Sequence, residues 1–175
     1  MSVKLHSSRL GEGPPVVLLH GLFGAGANLG ALARWLSDRY QVHSVDLPNH
    51  GRSGWTEPAG LDAMAHSLEG WMLHHGLTRA RFVGHSLGGK VAMQLALSRP
   101  QRVSALAVAD IAPVAYPPHH EAVFTALESV IAMPCGSRQE AARRMAAHID
   151  EEGVVQFLLT SLQRDDNGHY RWRYR

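Results

Sequence analysis

Apolar residues follow one rhythm up to about residue 110 and another after it. Residues 16–19 read Val-Val-Leu-Leu, entered by Pro14 and Pro15 and left at His20-Gly21. A short continuous apolar run predicts a strand buried on both faces, as in a parallel sheet. A glycine-rich turn follows, and then Leu29, Leu32 and Leu36 fall on one helical stripe, with Asn28 placed as an N-cap. Val42 to Leu47 predicts a second strand. Beyond a polar loop, Leu61, Met64, Ala65, Leu68, Trp71 and Met72 have helical spacing. A third short strand, around Arg81–Val83, runs into Gly84-His85-Ser86-Leu87-Gly88-Gly89. A helix is predicted over Lys90–Ser98, with Pro100 beyond its end, and a fourth strand over Val103–Asp110. Alternating strands and helices predict an α/β fold on a mostly parallel sheet.

From residue 112 the strands stop. A loop containing Pro and His leads to three helical stretches, about 120–133, 137–149 and 151–162. A helical insert after such a core reads as a lid. The chain then shows a turn signal at Asp165–Gly168 and strict alternation through Tyr170, Trp172 and Tyr174. The basic and aromatic mixture of this tail could stack on single-stranded nucleic acid. An edge strand with its aromatic face packed under the lid is the simpler reading.

Composition narrows the classes. At 175 residues the length suits one domain, and 45% apolar residues can build a sizeable core. A net charge of +2 gives no reason to expect a nucleic-acid or membrane partner. The one cysteine, Cys135, allows no internal disulfide and suits a reducing compartment. The first ten residues lack the apolar run of a signal peptide, so the expected location is the cytoplasm. His74-His75 and His119-His120 do not have metal-ligand spacing, and no metal is expected.

Three chemistries compete for the glycine-rich turns. Gly84-x-Ser86-x-Gly88 between a strand and a helix matches a nucleophile elbow, in which the serine occupies a sharp, strained turn. A bland alternative is a tight turn with a capping serine. Gly84 to Lys90 resembles a phosphate loop, but Val91 stands where the Mg²⁺-binding hydroxyl belongs. Gly24-x-Gly26 with Asp46 resembles a dinucleotide fingerprint, but Leu29 replaces its third glycine. His20-Gly21 favours the first reading, because acyl transfer needs a second backbone donor opposite the nucleophile. Leu22 is the expected donor, with Phe23 as the fallback, and the Leu87 N–H at the helix start is the other.

Four landmarks stand in order. They are His20-Gly21-Leu22-Phe23-Gly24, Asp46-Leu47-Pro48-Asn49-His50-Gly51-Arg52-Ser53, Gly84 to Gly89, and Asp110 at a strand end. Together they resemble the α/β-hydrolase superfamily, and within it the small bacterial esterases of the YbfF type. The resemblance implies residues 1–115 as the first part of the core, 116–163 as the helical lid and 164–175 as the start of a return to the core. It implies Ser86 as nucleophile, Leu22 and Leu87 as oxyanion-hole donors, and Asp110 rather than Asp46 as the acid that orients an imidazole. Phe23 and His85 are expected at the substrate pocket, with the His85 side chain turned away from Ser86.

The family's base is a histidine late in the chain, and these residues have no such segment. A C-terminal segment of the same protein is therefore expected to complete the sheet, whose last strand is otherwise left with an open edge. His119 and His120 are the substitutes to consider first. The implied activity is hydrolysis of small carboxylic esters through an acyl-enzyme, without a cofactor. Thioesterase, lactonase or perhydrolase chemistry uses the same site, and a non-catalytic module lacking its base is the alternative of a different class.

Overall fold

The structure, a computed structural model, describes residues 3–116, 120–133, 135–166 and 168–172. The chain divides into two compact units between Pro113 and Val114.

The first unit is built on five strands: β1 (Ser7–Leu10), β2 (Pro15–Leu19), β3 (Gln41–Val45), β4 (Ala80–His85) and β5 (Val103–Ala109). Their spatial order is β1-β3-β2-β4-β5. All neighbours are parallel except β1, which runs antiparallel to β3. Three helices complete the unit: α1 (Gly30–Leu36), α2 (Leu61–His74) and α3 (Leu87–Ser98). Val17 and Leu19 pack with Leu68 and Met72 of α2 and Val91 and Leu95 of α3. Val16 and Leu18 pack with Ala33 and against Leu29, Leu32 and Leu36 on the α1 side. Helices on both faces explain why β2 is apolar at successive positions. Each side chain buried this way contributes about 1.5–3 kcal/mol.

The sequence pattern differs from this unit at three places. The sheet has a fifth strand, β1, whose Ser-Ser-Arg-Leu sequence is polar because it lies at an exposed edge. Asn28 does not cap α1. It sits in the preceding 3-10 turn, Gly26–Leu29, where its Oδ1 accepts the Ala25 N–H at 2.6 Å. Helix α3 begins at Leu87 rather than Lys90, because its first turn absorbs Gly88 and Gly89. At the opposite edge stands β5, whose residues are mostly exposed.

The second unit holds α4 (Glu121–Ile131), α5 (Arg138–Ala146) and α6 (Glu152–Leu159). An antiparallel hairpin follows, β6 (Leu162–Arg164) with β7 (Tyr170–Trp172). Leu127, Val130, Met145, Val155, Leu158 and Leu162 are buried in it. Ser137 caps α5 by accepting the Glu140 N–H at 3.1 Å. Arg138 donates to the carbonyls of Leu159, at the end of α6, and Leu162, at the start of β6, both at 2.8 Å. Trp172 is buried and its Nε1–H donates to the Leu127 carbonyl at 3.2 Å. The rest of the alternating tail, from residue 173, lies outside the described residues, as does His119. No helix among the described residues is long and apolar enough to cross a membrane.

Candidate active site

Strand β4 ends at His85 and α3 begins at Leu87, so Ser86 makes the turn between them. Its backbone has φ 49° and ψ −115°. A non-glycine residue held there stores roughly 1–3 kcal/mol of strain. The surroundings enforce it: the Ser86 N–H donates to the Ala109 carbonyl at 3.0 Å, and the Ser86 carbonyl accepts the Lys90 N–H at 3.1 Å. The packing needs glycine on both sides. A Cβ at Gly84 would stand 2.5 Å from the carbonyl carbon of Gly88, and one at Gly88 would stand 2.6 Å from the His20 carbonyl oxygen. The Ser86 hydroxyl does not cap α3 and makes no hydrogen bond with any described residue. A capping serine would be spent on the helix, and this one is not.

The loop after β2 lies against this turn. A Cβ at Gly21 would be 3.5 Å from Ser86 Cβ and 2.8 Å from His85 Nδ1. The loop turns tightly, with the Gly24 N–H donating to the Gly21 carbonyl at 3.0 Å and Phe23 at φ 61°. Neither the Leu22 nor the Leu87 N–H has an acceptor among the described residues. His20 holds the loop from behind. Its Nε2 accepts the Leu47 N–H at 3.0 Å, which leaves the proton on Nδ1 to donate to the Gly21 carbonyl at 2.8 Å. Burial pushes the His20 pKa down to about 4. The ring is therefore neutral at pH 7, as both hydrogen bonds require.

Asp46 and Asp110 both follow parallel strands, in opposite surroundings. Asp46 is buried, and its carboxylate accepts the N–H groups of Gly26 at 2.6 Å and Arg52 at 2.8 Å. Its backbone carbonyl accepts the Ser53 hydroxyl at 2.6 Å. The Asp110 side chain is 82% exposed, with φ 59° at its backbone. Its Oδ2 lies 3.5 Å from Nε2 of His85, whose side chain leans from the elbow toward that carboxylate. The ends of β2, β4 and β5 thus bring together Leu22, Ser86, Leu87, His85 and Asp110. His50 is buried instead under the loop after Asp46, with its ring bonded to the Pro48 carbonyl at 2.9 Å. Burial lowers its pKa.

Residues 14–134 match the family described as alpha/beta hydrolase fold. The chain belongs to the alpha/beta hydrolase family. It is 42% identical over 148 residues to Esterase YbfF of Escherichia coli (strain K12), covering 84% of this chain and 58% of that protein. It is 39% identical over 168 residues to the sn-1-specific diacylglycerol lipase ABHD11 of Mus musculus, covering 91% of this chain and 54% of that one. A solved marine microorganism esterase superposes with a TM-score of 0.93 at 34% identity, covering 99% of this chain and 69% of its own. The chain spans just over half the length of the two curated relatives.

Membership agrees with what the geometry does to the rival readings. A dinucleotide site needs a free carboxylate at Asp46 for a ribose, and here backbone N–H groups occupy both of its oxygens. Among the described residues no group of three or more His, Cys, Asp or Glu is placed to hold a metal. Three of the four described non-glycine residues with positive φ, namely Phe23, Ser86 and Asp110, belong to the set chosen from sequence; the fourth is Asn49. Stored backbone strain concentrates at functional sites of this kind. Sequence reading assigned no role to Ser53, which accepts the His6 N–H at 2.9 Å while donating to Asp46. Its place seven residues after Asp46 in the loop motif is the signal that marked it.

Proposed function

We propose that this chain carries the nucleophile, oxyanion hole and acid of a serine ester hydrolase. The observation that carries this reading is Ser86. Among the described residues its hydroxyl has no partner, and the two backbone N–H groups beside its strained turn have no acceptor. The base takes the Ser86 hydroxyl proton as Oγ attacks the acyl carbonyl carbon, and the new C–O bond places negative charge on the carbonyl oxygen. The Leu22 and Leu87 N–H groups stabilise that charge, and one such donor is worth roughly 3–4 kcal/mol in kcat. The alcohol leaves with a proton returned by the base, and water then releases the acid from Ser86. Asp110 orients the base and stabilises its imidazolium form. We assign the base to a histidine outside these 175 residues, since the matched relatives are longer than the chain. Residues 116–163 are read as a lid on their helical content and chain order. Phe23 and His85 are read as substrate-pocket residues on their positions beside Leu22 and Ser86 in the chain.

The substrate class is small carboxylic esters, and the location proposed is the cytoplasm. Thioesters and lactones present the same carbonyl to the same donors. A second reading, a module with hydrolase shape and no turnover, draws on the absence of any imidazole bonded to Ser86 among the described residues. A fluorophosphonate probe on the full-length protein separates the two. Labelling that disappears in Ser86→Ala is the expected result, and labelling that persists in the variant would remove Ser86 from the role.

A further inference from the structure

We infer that the first unit carries a second site, a cleft that binds a small phosphorylated molecule. The cleft has a volume of about 950 Å³, and none of its lining residues belongs to the Ser86 site. That size lies in the range of small-molecule sites, about 300–1,000 Å³. Its chemistry comes from Lys4, His6, Arg52, Trp71, His74 and His75.

Three separated segments are stitched together to form it. The Gly54 N–H donates to the Lys4 carbonyl at 2.9 Å, and the His6 N–H donates to Ser53 Oγ at 2.9 Å. These bonds set Lys4 and His6 beside the loop that carries Arg52, itself fixed by its N–H to Asp46 at 2.8 Å. The last turn of α2 joins the same cleft, tied to β1 by Trp71 Nε1–H donating to Ser7 Oγ at 3.2 Å. The His75 ring lies 4.7 Å from the Trp71 ring, and its Nδ1 donates to the Trp71 carbonyl at 2.9 Å. The same carbonyl also accepts the His75 backbone N–H at 3.1 Å, so the ring is fixed to the last turn of α2.

The charge is one-sided. Among the described residues no carboxylate lines the cleft. Lys4, Arg52 and His74 enter no ion pair among the described residues. Arg99 and Arg102 of the same unit, by contrast, share Glu69. Asp46 is a carboxylate close behind the wall. It is 3.3 Å from His6 Nδ1, and its oxygens are already taken by backbone N–H groups. The His6 Nδ1 atom is inaccessible and makes no hydrogen bond, so the exposed side of the ring is what faces the cleft. Two long cations on one concave wall focus a positive potential, and three imidazoles beside them offer ring nitrogens as hydrogen-bonding groups. A phosphoryl group, with several oxygens and up to two charges, matches that set better than a single carboxylate.

The site stands apart from the proposed ester hydrolysis, and its test reads binding alone. Inorganic pyrophosphate is titrated into the full-length protein by calorimetry while histidine ring signals are followed by NMR. Saturable binding that shifts the signals of His6, His74 and His75 is expected. The double change Lys4→Gln with Arg52→Gln should weaken it about tenfold. Arg79→Gln, a cation outside the cleft, should leave it unchanged. Circular dichroism checks that each variant is folded, and the single change Lys4→Gln replaces the double one if that fails to fold. No saturable binding at millimolar pyrophosphate, or equal weakening by Arg79→Gln, overturns the proposal. Binding to phosphatidic acid vesicles without binding to pyrophosphate also overturns it, since it would assign the wall to a lipid surface.

Discussion

The ends of β3 and β5 each present an aspartate at the same rim of one sheet, and the two have opposite fates. At β3 the protein closes around Asp46 until both carboxylate oxygens hold backbone N–H groups. At β5 it leaves Asp110 outside, 82% exposed, with His85 Nε2 at 3.5 Å. Asp46 is buried, with its oxygens turned to backbone N–H groups and to His6, and offers nothing to an imidazole arriving at the rim, whereas the exposed Asp110 does. The chemistry available at the rim is therefore decided by how many N–H groups the neighbouring loop points at the acid.

Exchanging the acids gives the largest expected effect. If the full-length protein has the proposed activity, Asp110→Asn should lower kcat by about 10⁴ and leave the melting temperature nearly unchanged. Asp46→Ala should do the reverse to stability, costing about 2–3 kcal/mol as the Gly26 and Arg52 N–H groups lose their acceptor. Urea melts and steady-state kinetics on both variants decide the matter. A larger loss of kcat in folded Asp46→Asn than in Asp110→Asn would reverse the assignment.

The β3 end should also show itself in the pH dependence of stability. His20, which ties β2 to Leu47, has a folded pKa of about 4 against 6.5 for the free group. The unfolded chain takes up this proton first as the pH falls. The contribution is complete above about pH 6.5 and is lost on the way down to pH 4, roughly 3 kcal/mol in all. His50 shifts in the same direction. Urea midpoints at pH 7.5 and 5 should differ in the parent and differ less in His20→Gln. An equal slope in the variant would mean that another group carries the effect.

The smallest effect contrasts the crowded rim with an open helix in the second unit. A Cβ at Gly153, in the first turn of α6, would meet nothing within 4 Å. Gly153→Ala should stabilise by about 0.5 kcal/mol. Gly88→Ala should cost about 2 kcal/mol or more, because its Cβ would meet backbone rather than a movable side chain. Thermal melts of the two variants should move in opposite directions.

Much of this was legible from residue order. The apolar run at 16–19 fixes β2, and the helical stripe from Leu61 to Met72 fixes α2, because burial imposes the period directly. The elbow was legible because Gly84 and Gly88 are the residues that its close approach demands. What escaped depended on partners far along the chain. Strand β1 carries no apolar alternation, since an edge strand needs none. The start of α3 was obscured by two glycines, poor helix formers kept for packing. The cleft was not legible at all, since Lys4, Arg52 and His74 become neighbours only in the folded unit.

The contact of Gly88 with the end of β2 also has a kinetic consequence. Leu19 pairs with Gly84, and the His20 carbonyl fills the space beside Gly88, so the turn at Ser86 is supported by a strand from far upstream. Pairings of such long range are costly to close and tend to form late in folding. Until β2 and β4 have joined, Ser86 has only its bonds to Ala109 and Lys90 to hold its strained dihedrals, and the loop after β2 has not closed on it. Reactivity toward an acylating probe should therefore emerge in the same phase as the last sheet signal during refolding. A nascent or misfolded chain, although it contains every residue of the motif, would carry an ordinary serine.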